Sequence, residues 1–215
     1  MKLDVKRIYL DLDRTLIDTT AIMRALTQAS AALYGFDIND LRQEYEQVSK
    51  DYMAGTFRAY SFFDQAVARG VPAERARSDM QKALSGMHFL FPDVTRLLRF
   101  LAEQPYDVRV VTFGKTDYQT FKFSLAPELA HLPITVVPQE KNAYLSQQQS
   151  VPSLLVDDRI ITPLPNWCTQ ALIDRKAPQQ MTKESDKLWR INTLEAVETL
   201  LRVGYNEPNQ KGNIR

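Results

Sequence analysis

Four short apolar runs punctuate the chain, each bounded by polar residues and each rich in Val, Ile or Leu: Lys6 to Asp13, Asp107 to Phe113, Pro133 to Val137 and Ser153 to Asp158. Continuous runs of this length predict strands buried on both faces, as in a parallel sheet. Between them the apolar period lengthens. Val94, Leu97, Leu98 and Leu101 fall at i, i+3, i+4 and i+7, which places one stripe on a helix just before the second run. Near the C-terminus, Asn192 stands where a helix cap is expected, with Glu195 at the capping-box position and Val197 and Leu201 set to face inward. Strand alternating with helix predicts a layered α/β sheet.

One interval breaks that rhythm. About 75 residues separate the first run from the helix preceding the second, where a βα connection usually takes a handful. The interval reads as helical: Ile22, Leu26, Ala29 and Leu33 are spaced for one helix face, and Leu41 to Met53, Phe62 to Arg69 and Ala73 to Leu84 predict three more helices. Gly35, Gly55, Gly70 with Pro72, and Gly86 are the breaks. Residues 18–87 are therefore expected to form a helical insertion over the end of the first strand, with 1–17 and 88–203 as the core. The stretch 204–215, GYNEPNQKGNIR, has the composition of a disordered tail.

Composition narrows the function classes. The 215 residues, 44% hydrophobic and 25% charged, suit one sizeable domain with a smaller insertion. No apolar run approaches the roughly 20 residues of a membrane span. The opening MKLDVKR lacks a signal-like apolar stretch, so a cytoplasmic protein is expected. The single cysteine, Cys168, cannot form an internal disulfide and, in NWCTQAL beside an expected strand, reads as a small buried residue. His88 and His131 are too far apart in sequence for zinc-ligand spacing. A net charge of +1 with evenly scattered Lys and Arg gives no basic stripe for nucleic acid. A small-molecule partner is expected, and oligomeric state stays open.

Ligands of open α/β sheets bind outside the carboxyl ends of the strands. The four strands deliver a coherent set there: Asp11 and Asp13, then Thr112 with Gly114, then Lys141, then Asp157 and Asp158. Two carboxylates about 4 Å apart repel by roughly 4 kcal/mol at an effective dielectric near 20. Such a cluster calls for a cation, and oxygen ligands without His or Cys favour a hard ion, Mg²⁺ where phosphate is also bound.

DLDRT after a hydrophobic strand, VVTFG, EKNAYL and LLVDD, in this order, resemble the four motifs of the haloacid dehalogenase (HAD) superfamily of phosphohydrolases. LFPDVTRLLRFLAEQPYDVRVVTFG resembles that family's approach to its second motif. The resemblance spans most of the chain and implies a Rossmann-like three-layer α/β/α core with a parallel sheet and an inserted α-helical cap. It implies an Mg²⁺-dependent phosphatase of small phosphorylated metabolites, with Asp11 as the nucleophile that becomes an aspartyl-phosphate and Asp13 as general acid and then base. It further implies Thr112 and Lys141 as phosphate-binding residues, and Asp11, Asp13, Asp157 and Asp158 as the metal set, Asp13 through its backbone carbonyl. Arg14 departs from the pattern, since glycine is common there, and is expected near the cap entrance, in touch with substrate. Dehalogenases of the family lack the second aspartate, which sets Asp13 against that chemistry.

Other readings of the same residues stand beside these. Lys115 and Lys122 lie close to the second strand and also reach toward phosphate, Thr112 has a reading as a strand-end residue bonded to backbone, and Asp157 as an orienter of water. Tyr45, Tyr52, Phe57, Tyr60, Phe62 and Phe63 read first as the insertion's own core and second as a substrate pocket. At the level of function, a phosphomutase shares the same acids, a receiver-type signalling module combines acids, Thr and Lys but lacks a long insertion, and a non-catalytic phosphate-binding protein keeps the fold.

Overall fold

Ile8, Tyr9 and Leu10 are completely buried at the middle of a seven-stranded sheet. The computed structural model describes residues 4–53 and 59–202. Its elements run β1 (Arg7–Leu10), α1 (Thr19–Tyr34), α2 (Ile38–Met53), α3 (Phe62–Ala68), α4 (Ala73–Ala83), α5 (Val94–Ala102), β2 (Asp107–Phe113), α6 (Thr116–Ser124), β3 (Ile134–Val137), α7 (Lys141–Ser146), β4 (Ser153–Asp157), β5 (Cys168–Ile173), β6 (Met181–Ser185), β7 (Leu188–Ile191) and α8 (Glu195–Arg202). The sheet order is β3-β2-β1-β4-β5-β7-β6, parallel throughout except for the antiparallel pairing of β6 with β7.

Alternation along the strands builds two cores. Ile8, Leu10, Val110, Leu154 and Val156 point to one face with Leu97, Leu98 and Leu101 of α5 and Val197, Leu200 and Leu201 of α8. Tyr9, Val111, Val137 and Leu155 point to the other, under Leu145 of α7 and the partly buried Ile161, Leu164 and Trp167. Strands covered on both sides leave no room for polar positions, which is why they read as continuous apolar runs.

The expected β2 and β4 lie where their runs placed them, and β1 is shorter than expected. After Leu10 the chain leaves the sheet, and the Leu16 and Ile17 N–H groups both return to the Leu12 carbonyl at 3.0 Å. This turn takes Asp13 out of the ladder and leaves Asp11 at its very end, so neither carboxylate has to sit inside a strand. Strands β6 and β7 escaped the apolar pattern, because MTKES at the sheet's edge is half-buried to exposed and LWRI beside it buries only alternate residues. Asn192 does not cap α8. Its side-chain amide donates to the Ala177 carbonyl at 3.1 Å, and Asp93 takes the Leu194 N–H instead, at 2.8 Å.

The long interval is helical as expected, carrying α1 to α4 between β1 and α5. Where it leaves and rejoins the sheet layer the two connections run side by side, with Asp18 N–H on the Phe89 carbonyl and Phe91 N–H on the Leu16 carbonyl. Leu33, expected to face inward, is 52% exposed near the end of α1, and the helix buries Met23, Thr27 and Ser30 beside Ile22 and Leu26. Gly35 ends α1 in the left-handed conformation at φ 69°, which glycine adopts without a Cβ penalty.

The insertion docks on α6. Phe63 of α3 sits edge-on to Tyr118 and Phe121, with ring centroids 6.0 and 5.1 Å away. A fully buried aromatic of this kind contributes about 1.5–3 kcal/mol by area alone. Around that contact, Ser61 donates to Asp117 at 3.1 Å, Arg77 to the Asp117 carbonyl at 3.0 Å, and Lys115 pairs with Asp64. Gly55, Phe57 and the tail 204–215 lie outside the described residues, as does the Tyr52 side chain. No helix among the described residues is long and apolar enough to cross a membrane.

Candidate active site

Strand order reverses on either side of β1, since β2 and β3 continue to one side and β4 and β5 to the other. A crevice opens at the carboxyl ends of the strands at such a point. Asp11 enters it directly, its N–H still bonded to the Val156 carbonyl at 2.9 Å, which sets it beside Asp157 at the end of β4. Thr112 arrives on β2, and Lys141 is the first residue of α7 after β3.

Lys141, only 6% exposed, ties the two strand ends together. Its ammonium donates to Asp11 Oδ1 and, at 2.6 Å, to Asp157 Oδ2. The remaining oxygens are also held: Asp11 Oδ2 accepts from the Thr15 hydroxyl at 3.3 Å, and Asp157 Oδ1 from the Arg159 N–H at 3.0 Å. A buried lysine between two buried carboxylates keeps its proton. Burial alone would lower its pKa, and Asp11 and Asp157 together outweigh that and raise it above its ordinary value.

Asp11, Asp157 and Asp158 bring carboxylate oxygens within 4.8 Å of one another. Burial, opposed by Lys141 and reinforced by Asp157, Asp158 and Asp13, holds the Asp11 carboxyl well above the usual carboxylate range. Burial and then Asp157 push Asp158 up to about 7. With the protein's own charges alone, three acids compete for one lysine. A divalent cation among their oxygens would reverse both shifts, and an all-oxygen donor set suits a hard ion such as Mg²⁺.

Asp13 stands outside this trio. Its carboxylate turns toward α6 and α1, where Lys122 donates to both oxygens (2.6 Å to Oδ2), Thr19 to Oδ1 at 2.7 Å and Gln119 to Oδ2 at 3.0 Å. Burial raises its pKa, and Lys122 followed by the Thr19 and Gln119 hydrogen bonds more than offsets this and leaves it below the ordinary value. The Asp13 side chain is therefore not a partner in the acidic trio, and any part it takes in holding a cation falls to its backbone. Gly114 makes the arrangement possible: at φ 145° it lies so close to Gln119 that a Cβ would fall 2.5 Å from Nε2. That nitrogen also donates to the Phe113 carbonyl at 2.6 Å.

Asp11, Asp13, Thr112, Lys141 and Asp158 line one cavity of about 130 Å³. Thr112 is 1% exposed and its hydroxyl has no hydrogen-bond partner among the described residues. It does not bond backbone as a strand-end threonine would. An unpaired buried hydroxyl costs roughly 1–3 kcal/mol, so its presence at the cavity wall points to a ligand oxygen. Tyr45, Val48, Tyr60 and Tyr118 form the apolar wall. The aromatic group of the insertion thus divides, since Tyr45 and Tyr60 face the cavity while Phe62 and Phe63 are buried in the core.

Arg14 also lines the cavity, at φ 59°. That left-handed backbone costs a residue with a Cβ about 1–2 kcal/mol and costs glycine nothing. The residue pattern around Asp11 singled out Arg14 but not Thr19 or Gln119, and assigned Lys122 no partner. The only sequence signal for them is polar side chains, Gln119 and Lys122, on the buried face of α6 among Tyr118 and Phe121.

No protein-family model and no curated protein matches the chain. Solved structures do. YfnB of Bacillus subtilis, named a HAD-hydrolase and bound to magnesium, superposes with a TM-score of 0.61 at 14% identity, over 93% of this chain and 99% of that one. A HAD phosphatase from Thermococcus onnurineus gives 0.55 at 14% identity, over 92% and 98%. The L-2-haloacid dehalogenase RSc1362 gives 0.55 at 13% identity, over 92% and 98%. The chain has the fold of the HAD hydrolases, as its motifs implied. That fold carries both phosphatase and dehalogenase chemistry, so the side chains must choose between them.

Proposed function

We propose that this HAD-fold chain is an Mg²⁺-dependent phosphatase acting on a small phosphorylated compound through an aspartyl-phosphate on Asp11. The observation that carries the reading is that Asp11 belongs at once to the Lys141 pair and to the acidic trio with Asp157 and Asp158. A carboxylate attacking a carbon–halogen bond has no use for a cation site built around it. One attacking a phosphoryl group, which brings its own negative charge, does.

In this reading α1 to α4 form a cap over the crevice, residues 18–87 against a core of 1–17 and 88–203. An Asp11 oxygen attacks phosphorus as the ester P–O bond breaks, and Asp13 supplies the proton the leaving oxygen needs. Water, losing a proton to Asp13, then attacks the same phosphorus, the P–O bond to Asp11 breaks, and phosphate leaves. Lys141 opposes protonation of Asp11 and offsets the arriving charge, and the Thr112 hydroxyl donates to a phosphoryl oxygen. Asp11, Asp157, Asp158 and the Asp13 backbone carbonyl would hold Mg²⁺, which supplies further charge neutralisation and in-line orientation when bound. Lys122, Thr19 and Gln119 keep Asp13 aimed and favour its ionised form, the state required of a base in the second half of the cycle, and the proton it takes from water there is the one it gives to the next leaving oxygen.

The test is a paired assay of the purified protein. Phosphate release from a generic aryl phosphate that needs Mg²⁺ and stops in chelator, with no halide released from a 2-haloacid, supports the reading. Halide release without phosphate release overturns it. A mutase would pass the phosphoryl group to a second hydroxyl, so the fate of the phosphate, water or sugar, separates the two activities.

A further inference from the structure

We propose that Arg14 selects substrates carrying a second anionic group, a carboxylate or a second phosphoryl group, beside the phosphoryl group transferred at Asp11. This rests on the phosphatase reading of the site. The first observation is backbone conformation. Arg14 occupies φ 59°, where side chains are rarely found and glycine fits without strain, one residue from Asp13. Residues held in such conformations cluster at ligand-binding sites, where the surrounding structure holds them in place. Here the Arg14 N–H bonds the Ile17 carbonyl at 2.9 Å, and the turn is pinned again by the Leu12 carbonyl.

The second observation is which cations are already engaged. Three basic side chains line the cavity. Lys141 is shared by Asp11 and Asp157, and Lys122 is held by Asp13. The Arg14 guanidinium has the neutral Tyr45 hydroxyl within hydrogen-bonding reach, and Asp158 and Asp13 act on it only through longer-range attraction. No described carboxylate pairs with it. Arg14 is also exposed, so an incoming group can reach it. A planar guanidinium with free donors matches the two oxygens of a carboxylate or phosphate. Tyr45 belongs to α2, so the position lies where the cavity wall passes from the Asp11 turn to the insertion. The transferred phosphoryl group is served by Thr112 and Lys141 at the sheet end, which leaves Arg14 to read the other end of a compact substrate.

Glycine suits the Arg14 backbone, so Arg14→Gly tests the side chain without straining the turn, and Arg14→Met keeps the stem while removing the charge. The equilibrium arm titrates the Mg²⁺-loaded protein with a two-carbon phosphonocarboxylate, whose C–P bond is not hydrolysed. Binding at least tenfold weaker in both variants, with Arg14→Lys recovering part of it, supports the proposal. Equal binding in wild type and variants overturns it. The kinetic arm compares an aryl phosphate, a phosphocarboxylate and a bisphosphate of equal chain length. A tenfold or greater fall in either doubly anionic substrate's kcat/KM relative to that of the aryl phosphate supports the proposal, and the arm that falls further names the group. A loss shared equally by all three overturns it. Wild type that hydrolyses none of the three, yet binds the phosphonocarboxylate through Arg14, removes the phosphatase reading and leaves the anion site standing.

Discussion

Lys122 of α6 holds both carboxylate oxygens of Asp13, 109 residues earlier in the chain, with the ammonium end of a side chain only 3% exposed. The pair fastens the Asp11 turn to the helix on which the insertion also docks. Removing one partner of a buried pair strands the other's charge, at about 3–5 kcal/mol for full burial. The Asp13 side chain is 26% exposed, so water recovers part of that. Lys122→Met should therefore lower unfolding stability in urea by about 2–3 kcal/mol, and adding Asp13→Asn should restore much of it. A single variant as stable as wild type would show that the pair is not holding the turn.

Thr112 separates function from stability more cleanly. Its buried hydroxyl has no partner among the described residues, so Thr112→Val deletes an unsatisfied group while conserving shape. The variant should be at least as stable as wild type in thermal unfolding, yet turn over an aryl phosphate about 10²-fold more slowly, the usual loss when one donor to a charged transition state is removed. A stability loss with full activity would make Thr112 an ordinary core residue.

Lys122 favours the ionised form of Asp13, while the first chemical step asks it for the proton gained in the preceding turnover. Asp13→Asn should slow esters with poor leaving groups severely and those with good leaving groups far less, because only the former need an acid. A plot of log kcat/KM against leaving-group pKa, steeper in the variant, is the expected result. Parallel plots would take the acid role away from Asp13.

Much of this site was legible in the sequence because each strand delivers its chemistry at its own end. Asp11, Thr112 and Asp157 sit at the carboxyl ends of apolar runs whose registry the hydrophobic pattern dictates, and Lys141 opens a helix shortly after such a run. What the pattern could not show are contacts between residues on different elements. Thr19 and Gln119 meet at Asp13 only because α1 and α6 converge on the turn, and the one mark of it in the sequence is polar Gln119 and Lys122 among the aromatic residues of α6. Glycine's absence at Arg14 was visible, while the positive φ that makes it costly was not. The Asn192 cap failed for a similar reason, since Asp93, far away in sequence and held by Arg175 at 2.8 Å, competes for the start of α8. β6 went unseen because an edge strand need not be apolar, and β7 beside it because its four residues alternate buried with half-buried and give no continuous apolar run.

Cys168 gives a check on the second core. Burial pushes its thiol up to about 12, so at pH 8 only about one molecule in 10⁴ carries the reactive thiolate. Alkylation should be slow in the folded protein and rapid in urea. The raised folded pKa also means that this group's share of stability is full below the unfolded thiol's pKa and is lost as pH climbs toward 12. Fast labelling of the native state would place Cys168 outside the core under α7.

The central claim is that Asp11 carries the phosphoryl group. It is tested most directly by acid-quenching the enzyme during turnover of an aryl phosphate with Mg²⁺ and locating the added phosphoryl mass by peptide mass spectrometry. The account predicts that mass on Asp11 in wild type, and its absence in Asp11→Asn and in chelator. A phosphoryl group found on another residue, or an Asp11→Asn variant that hydrolyses the ester at the wild-type rate, would contradict it.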